Sequence, residues 1–157
     1  MDITEFNGSI GLPISSTEVS IRDDQGENIA IGELGEICIR GPQVMVGYWE
    51  QPDETAKVML PDNWFKTGDI GRMDEQGYIY IEDRKKDMIL TAGFNVYPAE
   101  IERIIAGHPD VAVVAVGSIP DEAKGELAKA YIVPKNGANP DSESVIAYCR
   151  EHLAAYK

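Results

Sequence analysis

The chain is short of the residues that usually mark a reactive or membrane-spanning protein. Its 157 residues include two cysteines and two histidines. Cys38 falls in a predicted strand and Cys149 in a predicted helix, at no metal-ligand spacing, so both read as plain thiols. His108 precedes a proline and His152 lies in a polar helical pattern. Neither has a sequence neighbour suited to make it a general base, and both read as structural. No apolar run approaches the roughly 20 residues that would span a bilayer as a helix. The opening residues, MDITEFNGSIG, lack a basic start and an apolar core, so they do not read as a secretory leader. A cytoplasmic protein is expected. Positive charge is scarce: 14 Lys+Arg stand against 27 Asp+Glu, a formal charge of −13. That excludes general nucleic-acid binding, which needs clustered cations. There are no repeats and no low-complexity segment.

What is present divides into two rhythms. Residues up to about 82 alternate in the manner of short strands. TEVSIRD places Val19 and Ile21 on one face, and GEICIRG does the same with Ile37 and Ile39. Between them, Asp23, Asp24 and Gly26 supply hairpin-turn chemistry. WFKTGDIGRMDEQGYIYIED gives two more strands joined at DEQG. QPDETAKVM is a short helix that Pro52 can start, with Asp53 and Glu54 suited to its positive N-terminal end. Short strands between glycine turns predict a small barrel or sandwich.

After Lys86 the pattern changes. DMILTAGFNV reads as a strand, a turn and a short strand. PAEIERIIAG reads as a helix from Pro98 to a stop at Gly107, with Ile101, Ile104 and Ile105 on one face. VAVVAVGSI is a nearly continuous apolar run, which predicts a strand covered on both faces. GELAKAYIVP is its expected antiparallel neighbour. The last helix has Asp141 as N-cap and Val145, Ile146 and Leu153 turned inward. The order β-α-β-β-α defines an α+β lobe.

Two stretches carry candidate chemistry. In WFKTGDIG, Asp69 follows Thr67 and Gly68 near a strand end. A carboxylate there can accept both hydroxyls of a ribose, and Gly68 lets a ligand approach the main chain. The same residues also read as an ordinary capped turn. In DRKKDMILTAGFNVYPAEIE, Arg84 follows a strand and has a fork of donors for ribose or phosphate. Lys86 and Asp87 lie where the two rhythms meet, the place for a hinge, and Gly93 marks a close approach to the backbone. A solvated connector and a turn glycine are the alternative.

Taken in order, GEICIRGPQVMVGYW, WFKTGDIGRMDEQGYIYIEDRKKDMILTAGFNVYPAEIE and HPDVAVVAVGSIPDEAKGELAKAYIV resemble the adenylate-forming superfamily. That superfamily comprises acyl-CoA synthetases, adenylation domains and luciferases. DRKKDMIL, GFNVYP and GPQVMVGYW look most like the bacterial long-chain fatty acid–CoA ligases. The resemblance implies an α+β chain. Residues 1–83 would be a small β-barrel-like subdomain of a large adenylating lobe, 84–87 a hinge, and 88–157 a mobile lobe incomplete at its C-terminus. It implies ATP with Mg²⁺, coenzyme A and a fatty acid as substrates of the parent enzyme. Asp69 and Arg84 would contact the nucleotide, Lys86 would be the hinge residue, and Gly93 would lie on the loop lining the coenzyme A tunnel. No residue here is expected to be a metal ligand, since Mg²⁺ would travel with ATP. The superfamily's phosphate loop and adenylating lysine would lie outside this sequence. Lys157 stands in the wrong context to replace that lysine, and Leu90 stands where several relatives carry one. The isolated chain is therefore expected to be inactive, with self-association possible through the face meant for the missing N-terminal lobe. The parent could also associate peripherally with the membrane. The alternative is a stand-alone module that binds a nucleotide or a partner.

Overall fold

The computed structural model describes residues 7–157. The reading of the first six residues as no leader therefore lies outside the described part. The chain divides into two compact units, Met1–Lys85 and Lys86–Lys157.

The first unit holds β1 (Glu18–Arg22), β2 (Gly35–Arg40), α1 (Pro52–Val58), β3 (Met59–Leu60), β4 (Trp64–Met73) and β5 (Ile79–Arg84). All pairings are antiparallel, in the order β1-β2-β4-β3 with β5 also on β4, giving a curled half-barrel sheet. The ten-residue β4 organises it. One edge takes β2, and the other takes β3 beside Trp64 and Phe65, then β5 from Asp69 onward. Alternation works as expected: Ile21, Ile37 and Ile79 are buried together, with Val19, Ile29, Ile39 and Met73 against them. On β2, however, Glu36 and Cys38 are also buried, so this strand is covered on both faces.

The Asp23 turn differs from a plain hairpin. Its side chain accepts the amides of Gln25 and Glu27, and the chain returns to β1 only at an Asn28 bridge before continuing to β2. Trp64 lies under two guanidinium groups, Arg22 at 4.5 Å and Arg40 at 4.8 Å from the ring centre. Arg40 is also forked onto Glu18 across the β1–β2 ladder at 2.9 and 2.7 Å.

The second unit holds β6 (Ile89–Thr91), β7 (Phe94–Val96), α2 (Pro98–Ala106), β8 (Val111–Asp121), β9 (Gly125–Pro134) and α3 (Ser142–His152). Its sheet order is β7-β6-β9-β8. The core is Ile89, Val96, Ile101, Ile105, Val111 and Val145, with Val114, Val116, Ile132, Cys149 and Leu153 packed around it. Both helix starts follow the expected chemistry. Pro98 opens α2, and the Asp141 carboxylate accepts the Ser144 amide at 2.7 Å.

Two expectations are corrected here. β8 is covered on one face only: Val113 is 61% exposed, and its β9 partner Val133 is 56% exposed. Apolar alanines and valines on both sides of the strand hide a period-2 pattern that burial alone reveals. Ile146 is half exposed, because Val145, Cys149 and Leu153 form the inward stripe at four-residue spacing and Ile146 lies one step round the helix. α2 stops at Gly107 as expected, with Gly107 at φ −75°, an ordinary value. It is glycine for room: a Cβ there would stand 2.8 Å from the Tyr148 hydroxyl.

His108 is buried, takes the Asp110 amide on Nδ1 at 3.2 Å and meets Tyr148 edge-on. His152 stacks on the same ring at 4.4 Å. Past α3, Tyr156 stacks on Phe94 at 4.7 Å and Lys157 reaches the Glu100 carboxylate. Among the described residues, no helix is long and apolar enough to cross a membrane.

Candidate functional site

The densest polar arrangement of the first unit lies where β4 faces β2 and β5. Between Glu36 and Cys38 the β2–β4 register slips: Glu36 faces Ile70, yet Cys38 faces Lys66. Thr67, Gly68 and Asp69 bulge out of the ladder opposite Ile37. On the other edge the register slips again, between Ile70 and Gly71. Bulges re-aim side chains and recur beside functional sites. Asp69 thus sits inside a ten-residue strand and not near its end.

Several bonds shape the bulge. The Thr67 hydroxyl donates to the Ile37 carbonyl at 2.9 Å and receives the Asp69 amide at 3.1 Å. The Gly68 amide donates to Glu36 Oε1 at 3.2 Å. Gly68 has φ +76°, the left-handed region that a side chain disfavours, and no atom lies within 4 Å of where a Cβ would be. Its glycine is therefore required by backbone conformation and leaves open space above the turn.

Asp69 and Arg84 are brought together. They are register partners across β4–β5, and Arg84 Nε lies 2.9 Å from Asp69 Oδ1. The Asp69 side chain is 20% exposed and that of Arg84 is 60% exposed. Asp69 is thus a partly exposed carboxylate oriented by a guanidinium, and a carboxylate's two oxygens together offer more acceptor sites than one such contact uses.

Beneath this pair lies a charge network the sequence did not reveal. The Glu36 side chain is only 5% exposed, and its Oε2 receives Lys85 Nζ at 3.0 Å with Lys66 Nζ at 3.6 Å. Lys85 also binds Asp24 at 2.7 Å. Burial pushes the Lys85 ammonium down, but its hydrogen bonds to Asp24 and Glu36 win and hold it above the usual lysine value. The Asp24 carboxyl is held below its usual value, first by the Lys85 hydrogen bond and then by its charge. The one sequence signal for Glu36 was a charged residue amid the apolar alternation of GEICIRG.

The other two candidates lie in the second unit. Lys86 sits in a 3-10 turn, Lys85–Asp87, and is the first residue of that unit. Gly93 is in the β6–β7 hairpin, where Thr91 pairs with Phe94. Ala92 and Gly93 have φ +49° and +83°, the pattern of a two-residue turn whose central residues are both left-handed. Nothing lies within 4 Å of a Cβ built on Gly93. Neither cysteine is a nucleophile candidate, since burial raises both thiols above their usual value.

A curled β unit with a bulged acidic turn, followed by a β-β-α-β-β-α unit, is the arrangement of an adenylate-forming type of chain. Two family descriptions match it: AMP-binding enzyme over residues 1–49, and AMP-binding enzyme C-terminal domain over residues 100–157. The matched stretches at both ends of the chain are thus those of AMP-binding enzymes. It is 51% identical over 156 residues to a long-chain-fatty-acid–CoA ligase of Yersinia pestis, covering 99% of this chain and 27% of that protein. The ligase of Bacillus subtilis is 48% identical over 151 residues, covering 96% of this chain and 27% of that protein. Among solved structures, ATP-bound MatB of Rhodopseudomonas palustris matches with a TM-score of 0.90 at 37% identity, covering 96% of this chain and 30% of MatB. The o-succinylbenzoate CoA synthetase of Bacillus subtilis, in complex with its acyl-adenylate intermediate, matches with a TM-score of 0.83 at 36% identity, covering 95% of this chain and 30% of that one. The chain thus spans less than a third of the length of these relatives.

Proposed function

We propose that this chain is part of an ATP-dependent, AMP-forming fatty acid–CoA ligase. One observation carries the proposal: a bulged β4 presents Asp69 against Arg84 in a chain 51% identical to a long-chain-fatty-acid–CoA ligase. The reaction has two steps. A fatty-acid carboxylate oxygen attacks the α-phosphorus of ATP, releasing pyrophosphate and forming an acyl-adenylate. The coenzyme A sulfur then attacks the acyl carbon, loses its proton, and AMP leaves. AMP turns a poor carboxylate electrophile into one with a good leaving group. Mg²⁺ arriving with ATP offsets phosphate charge in the first step.

In this reading Asp69 accepts the ribose hydroxyls, and Arg84 orients that carboxylate and adds a donor toward the nucleotide. Lys86 is the pivot between the two half-reactions. Gly93 lies where the pantetheine arm of coenzyme A passes. The residues that activate phosphate lie elsewhere in the parent enzyme, so the 157-residue chain alone makes no acyl-CoA. The parent works in the cytoplasm, with peripheral attachment to the membrane.

The test is pyrophosphate release with ATP, Mg²⁺, coenzyme A and palmitate, on this chain beside the full reading frame that carries it. Turnover by the long form alone is expected. Turnover by the chain itself would overturn the assignment of the activating groups to other segments, and silence from both would remove the fatty acid ligase reading.

A second reading, a module that associates through an exposed face, is favoured by one observation. Val46 is 99% exposed and Trp49 is 86% exposed in the loop before α1. Sedimentation velocity across a concentration series decides it: a constant monomer removes self-association through that loop.

A further inference from the structure

Glu36 is a buried carboxylate whose two oxygens serve two different segments. Oε1 takes the amide of Gly68, the residue before Asp69. Oε2 takes the ammonium of Lys85, the residue after Arg84. Asp69 and Arg84 are the pair proposed to meet the nucleotide. Burying a carboxylate is costly, and an apolar residue of similar volume usually serves stability as well or better. The neighbours of Glu36 on β2, Ile37 and Cys38, are both apolar and buried. The strand therefore had an apolar solution available at this position. A charge kept there, with each oxygen sent to a different segment, is better explained by what it aligns. Without it, the Gly68 amide would lose the side-chain oxygen that accepts it. Among the described residues, Lys85 would keep only Asp24 as an ion-pair partner, whose side chain is 71% exposed.

We infer that Glu36 is a positioning residue: it clamps the Asp69 bulge and the Arg84 strand end into one register, so that the nucleotide meets a prearranged pair. Lys85 is the matching half of the clamp. It also fixes the last residue of the first unit, so that movement begins at Lys86. The inference rests on the proposed nucleotide role of Asp69 and Arg84.

The experiment uses the full reading frame and pyrophosphate exchange, with KM for ATP, KM for palmitate and kcat measured separately. Glu36→Gln keeps an oxygen for Gly68 but removes the charge that holds Lys85. Lys85→Met keeps the stem and removes the ammonium. Each is expected to raise the KM for ATP about tenfold, with the KM for palmitate unchanged, as expected where one substrate's binding geometry alone is disturbed. The double variant is expected to be no worse than the poorer single one, because both changes break one contact. Asp69→Ala is run beside them. If Asp69→Ala raises the KM for ATP while Glu36→Gln and Lys85→Met change only the melting temperature, the clamp is refuted and the nucleotide reading stands. If Asp69→Ala leaves the KM for ATP unchanged, the nucleotide reading itself falls, and the clamp with it. Should Glu36→Gln fail to fold, Lys85→Met decides alone, since the Lys85 side chain is 32% exposed and truncating it opens no core cavity.

Discussion

Replacing Gly93 separates two reasons for a glycine that are usually confounded. The residue has φ +83°, so any side chain incurs left-handed strain of about 1–2 kcal/mol. No atom lies within 4 Å of a Cβ at that position, so the second unit itself offers no clash. Gly93→Ala and Gly93→Leu should therefore cost the same stability, a fall in melting temperature of about 3–6 °C for each. Where the two melting temperatures agree, a difference between them in catalysis does not come from the fold. In the full reading frame, pyrophosphate exchange reports adenylation, and thioester formation from preformed acyl-adenylate reports the second step. If pantetheine passes this turn, Leu adds an isobutyl group where the thiol must travel. The thioester rate of the Leu variant should then fall at least about tenfold below that of the Ala variant, roughly 1.4 kcal/mol of barrier. Exchange should be the same in both. Equal thioester rates for Ala and Leu would refute the tunnel assignment and leave Gly93 as a turn residue.

Three further outcomes are expected. Lys86→Pro should slow thioester formation far more than pyrophosphate exchange in the full reading frame, because fixing φ at the pivot hinders the change of pose between steps; equal loss in both would remove the hinge role. Gly71→Ala should destabilise the first unit by about 2–3 kcal/mol, since its Cβ would stand 2.3 Å from the Tyr80 carbonyl oxygen and 2.7 Å from Ile37 Cδ1, both within a packed sheet; thermal melting checks it. The Asp24–Lys85 pair should make stability pH-dependent at both ends. Asp24, with a depressed folded value, contributes fully above its unfolded value of 3.8 and loses that contribution as pH falls through the lower folded value. Lys85, with a raised folded value, contributes fully below 10.5 and loses that contribution as pH rises through the higher folded value. Melting of the wild type and Lys85→Met from about pH 2 to about pH 5 should converge at the acid end; a gap that stays constant would deny the Asp24 linkage.

Local chemistry made most of the elements readable in advance. Pro52 and Pro98 open α1 and α2, Asp141 caps α3, and the alternation of Val19, Ile21 and Ile37 marks β1 and β2. Where the reading failed, the missing information was tertiary. VAVVAVGSI is apolar on both sides, and only the absence of a layer over Val113 and Val133 shows which face is open. Gly107 was legible as a helix stop, but the crowding a Cβ there would meet, at the Tyr148 hydroxyl of α3 some forty residues on, was not.

The candidate site shows the same division at finer scale. Asp69 and Arg84 were visible because their residue types suit a ribose and their motifs resemble those of a known family. Their pairing was not visible, because it depends on two register slips on opposite edges of β4, and a register slip leaves no composition signal. A strand without slips would put Thr67, Gly68 and Asp69 in regular alternation, with Gly68 hydrogen-bonded into the ladder and no exposed turn. The slip is maintained by side chains: the Thr67 hydroxyl replaces a ladder partner for the Ile37 carbonyl, and Glu36 replaces one for the Gly68 amide. Thr67 was read as part of a turn, and Glu36 was not singled out. Each in fact satisfies a backbone group that the bulge leaves without a ladder partner. The residues proposed to meet the nucleotide could thus be named from the sequence. The groups that let a strand present them could be found only once the unpaired backbone atoms had been traced to their partners.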